Sequence, residues 1–171
     1  VIRSAFAYRG ALRDLILRWK FSPDRLAGAF LAPLLIEGIV RWYPCYRPDL
    51  VIPVPPTLAA LRERRFCPAL DLALAAARFL GIPCLRDTFS HQGTPQVGRG
   101  KKERERGMRG AITPRGPLPG RRLRILVVDD VVTTGATIRE MVRAIRLSTR
   151  DPEIRSITLA RTLSPPSLDL G

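Results

Sequence analysis

Asp129 and Asp130 stand side by side at the end of an aliphatic run, and a hydroxyl-rich turn follows them. The stretch is RILVVDDVVTTGAT, residues 124–137, in which two valines separate the acids from Thr133, Thr134, Gly135, Ala136 and Thr137. Adjacent carboxylates repel a phosphate but accept hydrogen bonds from vicinal hydroxyls. A glycine-containing turn that opens a helix does the opposite, because its backbone N–H groups and threonine hydroxyls stabilise a phosphate. A sugar phosphate offers both: hydroxyls for the acids and phosphate for the turn. Two other readings of the acids are a solvated strand end and the acidic pair of a phospho-acceptor receiver domain. In receiver domains that pair comes early in the chain, not at 129–130. A P-loop is excluded, since no G-x-x-x-x-G-K-[ST] occurs.

For these residues to act together, a strand end must meet a helix start. RLRILVVDD reads as a strand. ATIREMVRAIR reads as an amphipathic helix, with Ile138, Met141, Val142 and Ile145 inward and Arg139, Arg143 and Arg146 outward. Upstream, GALRDLILRWKF carries Leu12, Leu15, Ile16 and Trp19 at helical spacing. Ser22, Pro23 and Asp24 read as the start of a second helix running towards Trp42 with a bend near Pro33. DLVIPVPP, 49–56, is a short strand running into prolines, and PALDLALAAARFLG, 68–81, is a helix that Gly81 ends. A short strand is expected near Cys84–Leu85, a last strand over 155–163, and an irregular tail, SPPSLDLG. This alternation predicts one α/β domain over 1–171, with a mainly parallel central sheet flanked by helices. In such sheets ligands bind beyond the carboxyl ends of the strands, where the acids stand.

Bulk composition narrows the partners. The 171 residues hold 29 Lys+Arg against 15 Asp+Glu, a formal net charge of +14. That balance favours polyanions: nucleic acid, phosphorylated small molecules or acidic lipid. Cys45, Cys67 and Cys84 are scattered, with no C-x-x-C pair and His91 as the only histidine, so they read as small core residues in a reducing compartment. The most apolar stretch, 26–40, is too short to span a bilayer, and no secretory leader pattern is seen. A cytoplasmic location is expected. Residues 90–109, SHQGTPQVGRGKKERERGMR, have almost no apolar content and read as a mobile basic loop or hairpin.

ILVVDDVVTTGAT resembles the ribose-phosphate signature of type I phosphoribosyltransferases: an apolar strand, two acids, two apolar residues, then T-T-G-x-T. The resemblance implies that family's Rossmann-like fold. It also implies that Asp129 and Asp130 bind the ribose hydroxyls of phosphoribosyl pyrophosphate, while Thr133, Thr134, Gly135, Ala136 and Thr137 bind its 5-phosphate. FAYRGALRDLILRWKF, VIPVPPTLAALRERRF and TPQVGRGKKERERGMRGAI resemble three blocks of ComF-type competence proteins, so the likeness covers nearly the whole chain. Where those blocks carry Gly and Asn in the second element, this chain has Arg65 and Cys67; in the third, Arg99 and Gly107 replace a leucine and an Asn. The Cys-rich N-terminal zinc module of many relatives is missing.

The resemblance implies transfer of a 5-phosphoribosyl group with loss of pyrophosphate. Mg²⁺ would bridge substrate oxygens, with no protein metal ligands. Val54 and Pro55 follow a strand where backbone could meet pyrophosphate, and Arg62, Arg64 and Arg65 could add charge there; the other reading of the triplet is a solvated helix face. Lys101, Lys102, Arg104 and Arg106 could cover the phosphates, or belong to a merely disordered loop. Lys20 either reaches the site or snorkels to the surface, and His91 reads as a surface residue. The competence resemblance implies single-stranded DNA and a helicase-like ATPase as partners. The alternatives are therefore an enzyme, a non-catalytic DNA-uptake accessory that binds single strands, and a sensor of the ribosyl substrate. Aromatics are 6%, with no aromatic–basic interleaving to stack bases. The acceptor is not specified by the sequence.

Overall fold

The computed structural model describes residues 1–21, 26–92 and 110–163. In chain order the elements are β1 (Ile2–Ala7), α1 (Gly10–Phe21), α2 (Leu26–Trp42), β2 (Leu50–Pro53), α3 (Leu58–Arg64), α4 (Pro68–Leu80), β3 (Phe89–His91), β4 (Ile112–Pro114), β5 (Arg124–Val132), α5 (Ala136–Ser148) and β6 (Glu153–Arg161). β1, β6, β5 and β2 form one parallel sheet in that order, and β3 pairs antiparallel with β4. The expected α/β architecture with a mainly parallel sheet is observed.

Alternation along β5 explains the layers. Leu126 and Val128 belong to the core under α1, α2 and α4, whereas Ile125 and Val127 belong to the core under α5. A strand buried on both faces must be apolar at successive positions, which is why β2 (LVIP) and residues 125–128 read as continuous runs. α2 lies close on β1: a Cβ at Gly38 would stand 2.5 Å from that of Ala5. Pro33 is inside α2, and Gly81 ends α4 in the left-handed region at φ 67°. Residues 83–85 extend the sheet only by a parallel bridge from Cys84 to Val51.

Several sequence expectations are corrected. Residues 2–7, to which the sequence assigned no element, form the edge strand β1. Of the loop and hairpin readings of 90–109, Ser90 and His91 follow the hairpin, since they lie in β3 and pair antiparallel with β4. Cys45 is exposed and Cys67 and Cys84 are half-buried, so none is a core residue. The helix start at Ser22, Pro23 and Asp24, the tail from 164, and most of the 90–109 loop lie outside the described residues. No helix among the described residues is long and apolar enough to cross a membrane.

Candidate functional site

β5 brings the two acids to the carboxyl end of the sheet. Asp129 pairs in register with Thr158 of β6, and the strand continues through Val131 and Val132, opposite Ala160 and Arg161. The acids therefore sit two residues inside the strand rather than at its end, with ladder pairing to β6 continuing past them. Asp129 Oδ1 accepts from the Asp130 N–H at 2.9 Å, and Asp130 Oδ1 accepts from the Val131 N–H at 2.6 Å.

Lys20 reaches this site. Its Nζ lies 2.6 Å from Asp130 Oδ2, with the two side chains only 13% and 12% exposed. The end of α1 is clamped to the end of α3 and the residues after it, which fixes that reach. Trp19 packs on Phe66 with ring centroids 5.8 Å apart, and the Arg64 guanidinium stands 5.0 Å from the centre of the Phe21 ring. Lys20 thus emerges between two aromatic contacts and is not a snorkelling surface lysine. Burial and the neighbouring Asp130 carboxylate push the Asp129 carboxyl well above the usual carboxylate range, against the Asp130 N–H and the Lys20 charge. Two adjacent acids therefore coexist by division: one is paired with a cation, the other holds a proton more tightly.

The turn begins where β5 stops. Thr133 and Thr134 are exposed, Gly135 is buried, and Ala136 and Thr137 are half-buried at the start of α5. Gly135 is the N-cap of α5, left-handed at φ 77°, and makes no side-chain cap hydrogen bond. A Cβ there would approach Ile2 Cδ1 to 2.7 Å, so glycine serves the packing against β1 as well as the turn. Thr134 Oγ1 accepts from the Ala136 N–H at 3.3 Å. Arg139, read from sequence only as an outward residue, donates from Nη1 to the Thr134 carbonyl at 2.9 Å and so braces the turn. Helix start, hydroxyls and guanidinium together make this a place that favours an anion.

The remaining expected residues fall around this centre. Val54 is buried and extends the β2–β5 ladder, its N–H donating to Val128 O at 2.9 Å. Pro55 is half-buried, and its carbonyl faces His91 Nδ1 at 3.2 Å; His91 is therefore anchored rather than a free surface residue. Arg62 and Arg65 are exposed, while Arg64 is half-buried over Phe21 with its Nε unpartnered. Lys101, Lys102, Arg104 and Arg106 lie outside the described residues.

Sequence reasoning missed two features. Glu140 lies on α5, buried and paired with Arg143 at 2.7 Å, and accepts from the Gly110 N–H at 2.7 Å. Burial opposes its ionisation, but Arg143 and the Gly110 N–H outweigh that and hold the carboxyl below the usual range. Arg143 also donates to Ile112 O at 3.2 Å, so the pair ties β4 to α5; the i,i+3 spacing was the available signal. The second is a basic–aromatic cluster at the opposite end of the sheet. There Arg155 stands 4.4 Å from the Tyr46 ring centre and Arg3 stands 4.5 Å from that of Trp42. Arg155 also pairs with Glu153, and Arg124 with Asp49, so this cluster is internally satisfied.

The chain is similar to known proteins in sequence and in fold. The phosphoribosyl transferase domain family matches residues 91–169. Competence protein F of Haemophilus influenzae is 30% identical over 148 residues, covering 81% of this chain and 63% of that protein. The chain thus spans just under two thirds of that relative. Adenine phosphoribosyltransferase from Saccharomyces cerevisiae superposes with a TM-score of 0.53 at 10% identity, over 84% of this chain and 72% of that one, which marks a shared fold.

Proposed function

We propose that this chain, which is similar to ComF-type phosphoribosyltransferases, binds phosphoribosyl pyrophosphate and transfers the 5-phosphoribosyl group with release of pyrophosphate. One observation carries the reading. Two acids with hydroxyl-accepting oxygens are followed directly by a helix start that has no side-chain cap and is braced by Arg139. The acids take the ribose hydroxyls and the turn takes the 5-phosphate. As pyrophosphate departs, cationic character develops on the sugar ring, as at other glycosidic centres. The protein's part is then to hold the sugar rigidly while the leaving group is neutralised.

Among the described residues no cluster of three His, Cys, Asp or Glu could hold a metal ion. The donors present fit a Mg²⁺ that keeps most of its ligands on substrate oxygens and water, with the acids as neighbours. Such an ion would supply positive charge to the departing pyrophosphate. Arg62, Arg64 and Arg65 on and after α3, and the backbone at Val54 and Pro55, are the proposed pyrophosphate side. Lys101, Lys102 and Arg104 belong to the same proposal as contacts that cover the phosphates. The reaction would take place in the cytoplasm.

A second reading, DNA uptake with single-stranded DNA and a helicase-like ATPase as partners, is favoured by the +14 charge and by the relative's name as a competence protein. Calorimetry separates the two. Asp129→Asn with Asp130→Asn keeps side-chain shape and should weaken phosphoribosyl pyrophosphate about 10²–10⁴-fold, given roughly 1.5–3 kcal/mol per charged hydrogen bond. Unchanged affinity in the folded double variant overturns the enzyme reading.

A further inference from the structure

A cavity of about 380 Å³ lies at the amino end of the parallel sheet. Trp42, Tyr46, Arg47, Arg124, Glu153 and Arg155 line it. Arg124 begins β5, five residues before Asp129, which at about 3.3 Å per residue places it roughly 17 Å from the acids. One small ligand cannot occupy both places.

Three guanidiniums in this wall have donors to spare. The carboxylates beside them are satisfied, Asp49 by Nε and Nη2 of Arg124, and Glu153 by Nε and Nη2 of Arg155. Arg47 instead donates from Nη1 to the Pro44 and Tyr46 carbonyls. Among the described residues, Nη1 of Arg124, Nη1 of Arg155 and Nη2 of Arg47 have no hydrogen-bond partner. With Arg3 over the Trp42 ring, four arginines stand among two carboxylates, an excess of two positive charges. Free guanidinium edges with that excess fit a phosphate dianion.

The same wall offers flat surface. Trp42 is 39% exposed, and its Nε1 donates to Ser4 O at 2.9 Å, which fixes the ring. The Arg155 guanidinium stands 4.4 Å from the Tyr46 ring centre, and a guanidinium stacked on one ring has a second face for another. The volume suits one ring system with a sugar and a phosphate.

We propose that this cavity binds a nucleoside monophosphate, with its base on the Trp42–Arg155 wall and its phosphate on the free guanidinium edges of Arg47, Arg124 and Arg155. The site is separate from the sugar-phosphate site and stands without the phosphoribosyl reading.

The chain's two tryptophans report its two ends. Trp19 precedes Lys20 beside the acids, and Trp42 lines this cavity, so the two indole N–H resonances of a heteronuclear NMR spectrum separate the sites. AMP should shift the Trp42 resonance. Adenosine and inorganic phosphate should each act there at least about tenfold more weakly, because each supplies only half of the contacts. Arg47→Gln with Arg155→Gln should weaken AMP at Trp42 about 10–100-fold, with an unchanged melting temperature reporting that the variant folds. The comparison of AMP with its two halves uses the wild-type protein and decides the point if the variant does not fold. A Trp42 resonance unmoved by millimolar AMP, phosphate as strong as AMP, or a folded double variant that binds AMP like the wild type overturns the proposal. So does a Trp42 shift that only an oligonucleotide produces, since the cavity is then part of a strand-binding surface.

Discussion

Lys20 Nζ and Asp130 Oδ2 are 2.6 Å apart, joining the end of α1 to the carboxyl end of β5 across residues that are distant in the chain. Both side chains are largely out of solvent, so the contact is worth more than a surface pair and costs more when halved. A double-mutant cycle with Lys20→Met and Asp130→Asn should give a coupling of about 1.5–3 kcal/mol in urea unfolding. Each single variant should be less stable than the double variant implies by simple addition. Coupling near zero would mean that the pair does not form in solution.

Asp129 makes the acid pair pH-dependent in the direction opposite to most carboxylates. Its folded carboxyl is raised by burial and by Asp130. A raised group binds protons more tightly folded than unfolded. Its stabilising contribution is complete below the unfolded value of about 3.9 and is lost as pH rises through the folded value. Asp129→Asn removes this loss while keeping an acceptor for the Asp130 N–H. The variant and wild type should therefore melt alike below about pH 4, and the variant should melt higher as pH rises. A variant that melts lower at neutral pH, with sugar-phosphate affinity unchanged, would refute this account.

The core of this site was legible because its signals are local. The 125–128 run, the acids and the Thr-Thr-Gly turn all lie within one short segment, and β5 and α5 form there. What could not be read depends on contacts between distant segments. Lys20 looked like any helix-end lysine until Trp19 met Phe66 and set its direction. His91 looked exposed because nothing near it in sequence shows that the Pro55 carbonyl would face it. β1 escaped because a short edge strand is stabilised by its pairing with β6, not by its own alternation.

Arg65 occupies a position that the family resemblance gives to glycine, and the backbone shows the cost. It caps the end of α3 in the left-handed region at φ 59°, its N–H donating to Leu61 O. An L-residue pays about 1–2 kcal/mol there, partly offset by glycine's greater freedom when unfolded. Arg65→Gly should stabilise the protein by about 0.5–1 kcal/mol, whereas Arg65→Ala should gain nothing because it keeps a Cβ. Calorimetric titration of pyrophosphate on the same variants tests the proposed role of the charge. Weaker binding to both variants, with stability gained only in the glycine one, would separate the two effects. A glycine variant no more stable than the alanine one would mean that the left-handed cap is not strained.

Cys67 stands where the same resemblance places asparagine, and it starts α4. Its backbone is extended at φ −117°, ψ 104°, with Pro68 as the first helical residue, which is N-cap geometry without a side-chain cap hydrogen bond. Burial pushes the thiol up to about 11, so it is neutral near pH 7. Its Sγ also lies 4.0 Å from the Val54 carbonyl. An asparagine at this position has a use for both ends of its amide: the oxygen accepts from the first turn of α4 and the nitrogen donates to Val54. Cys67→Asn should therefore raise stability by about 1 kcal/mol, or roughly 2–4 °C in Tm for a domain of this size. Cys67→Ser should recover part of the gain and Cys67→Ala none, because alanine can make neither bond. The ordering of the three melting temperatures, measured under reducing conditions, decides the point. If alanine performs as well as asparagine, the benefit is removal of the thiol, and α4 is not limited by its missing cap.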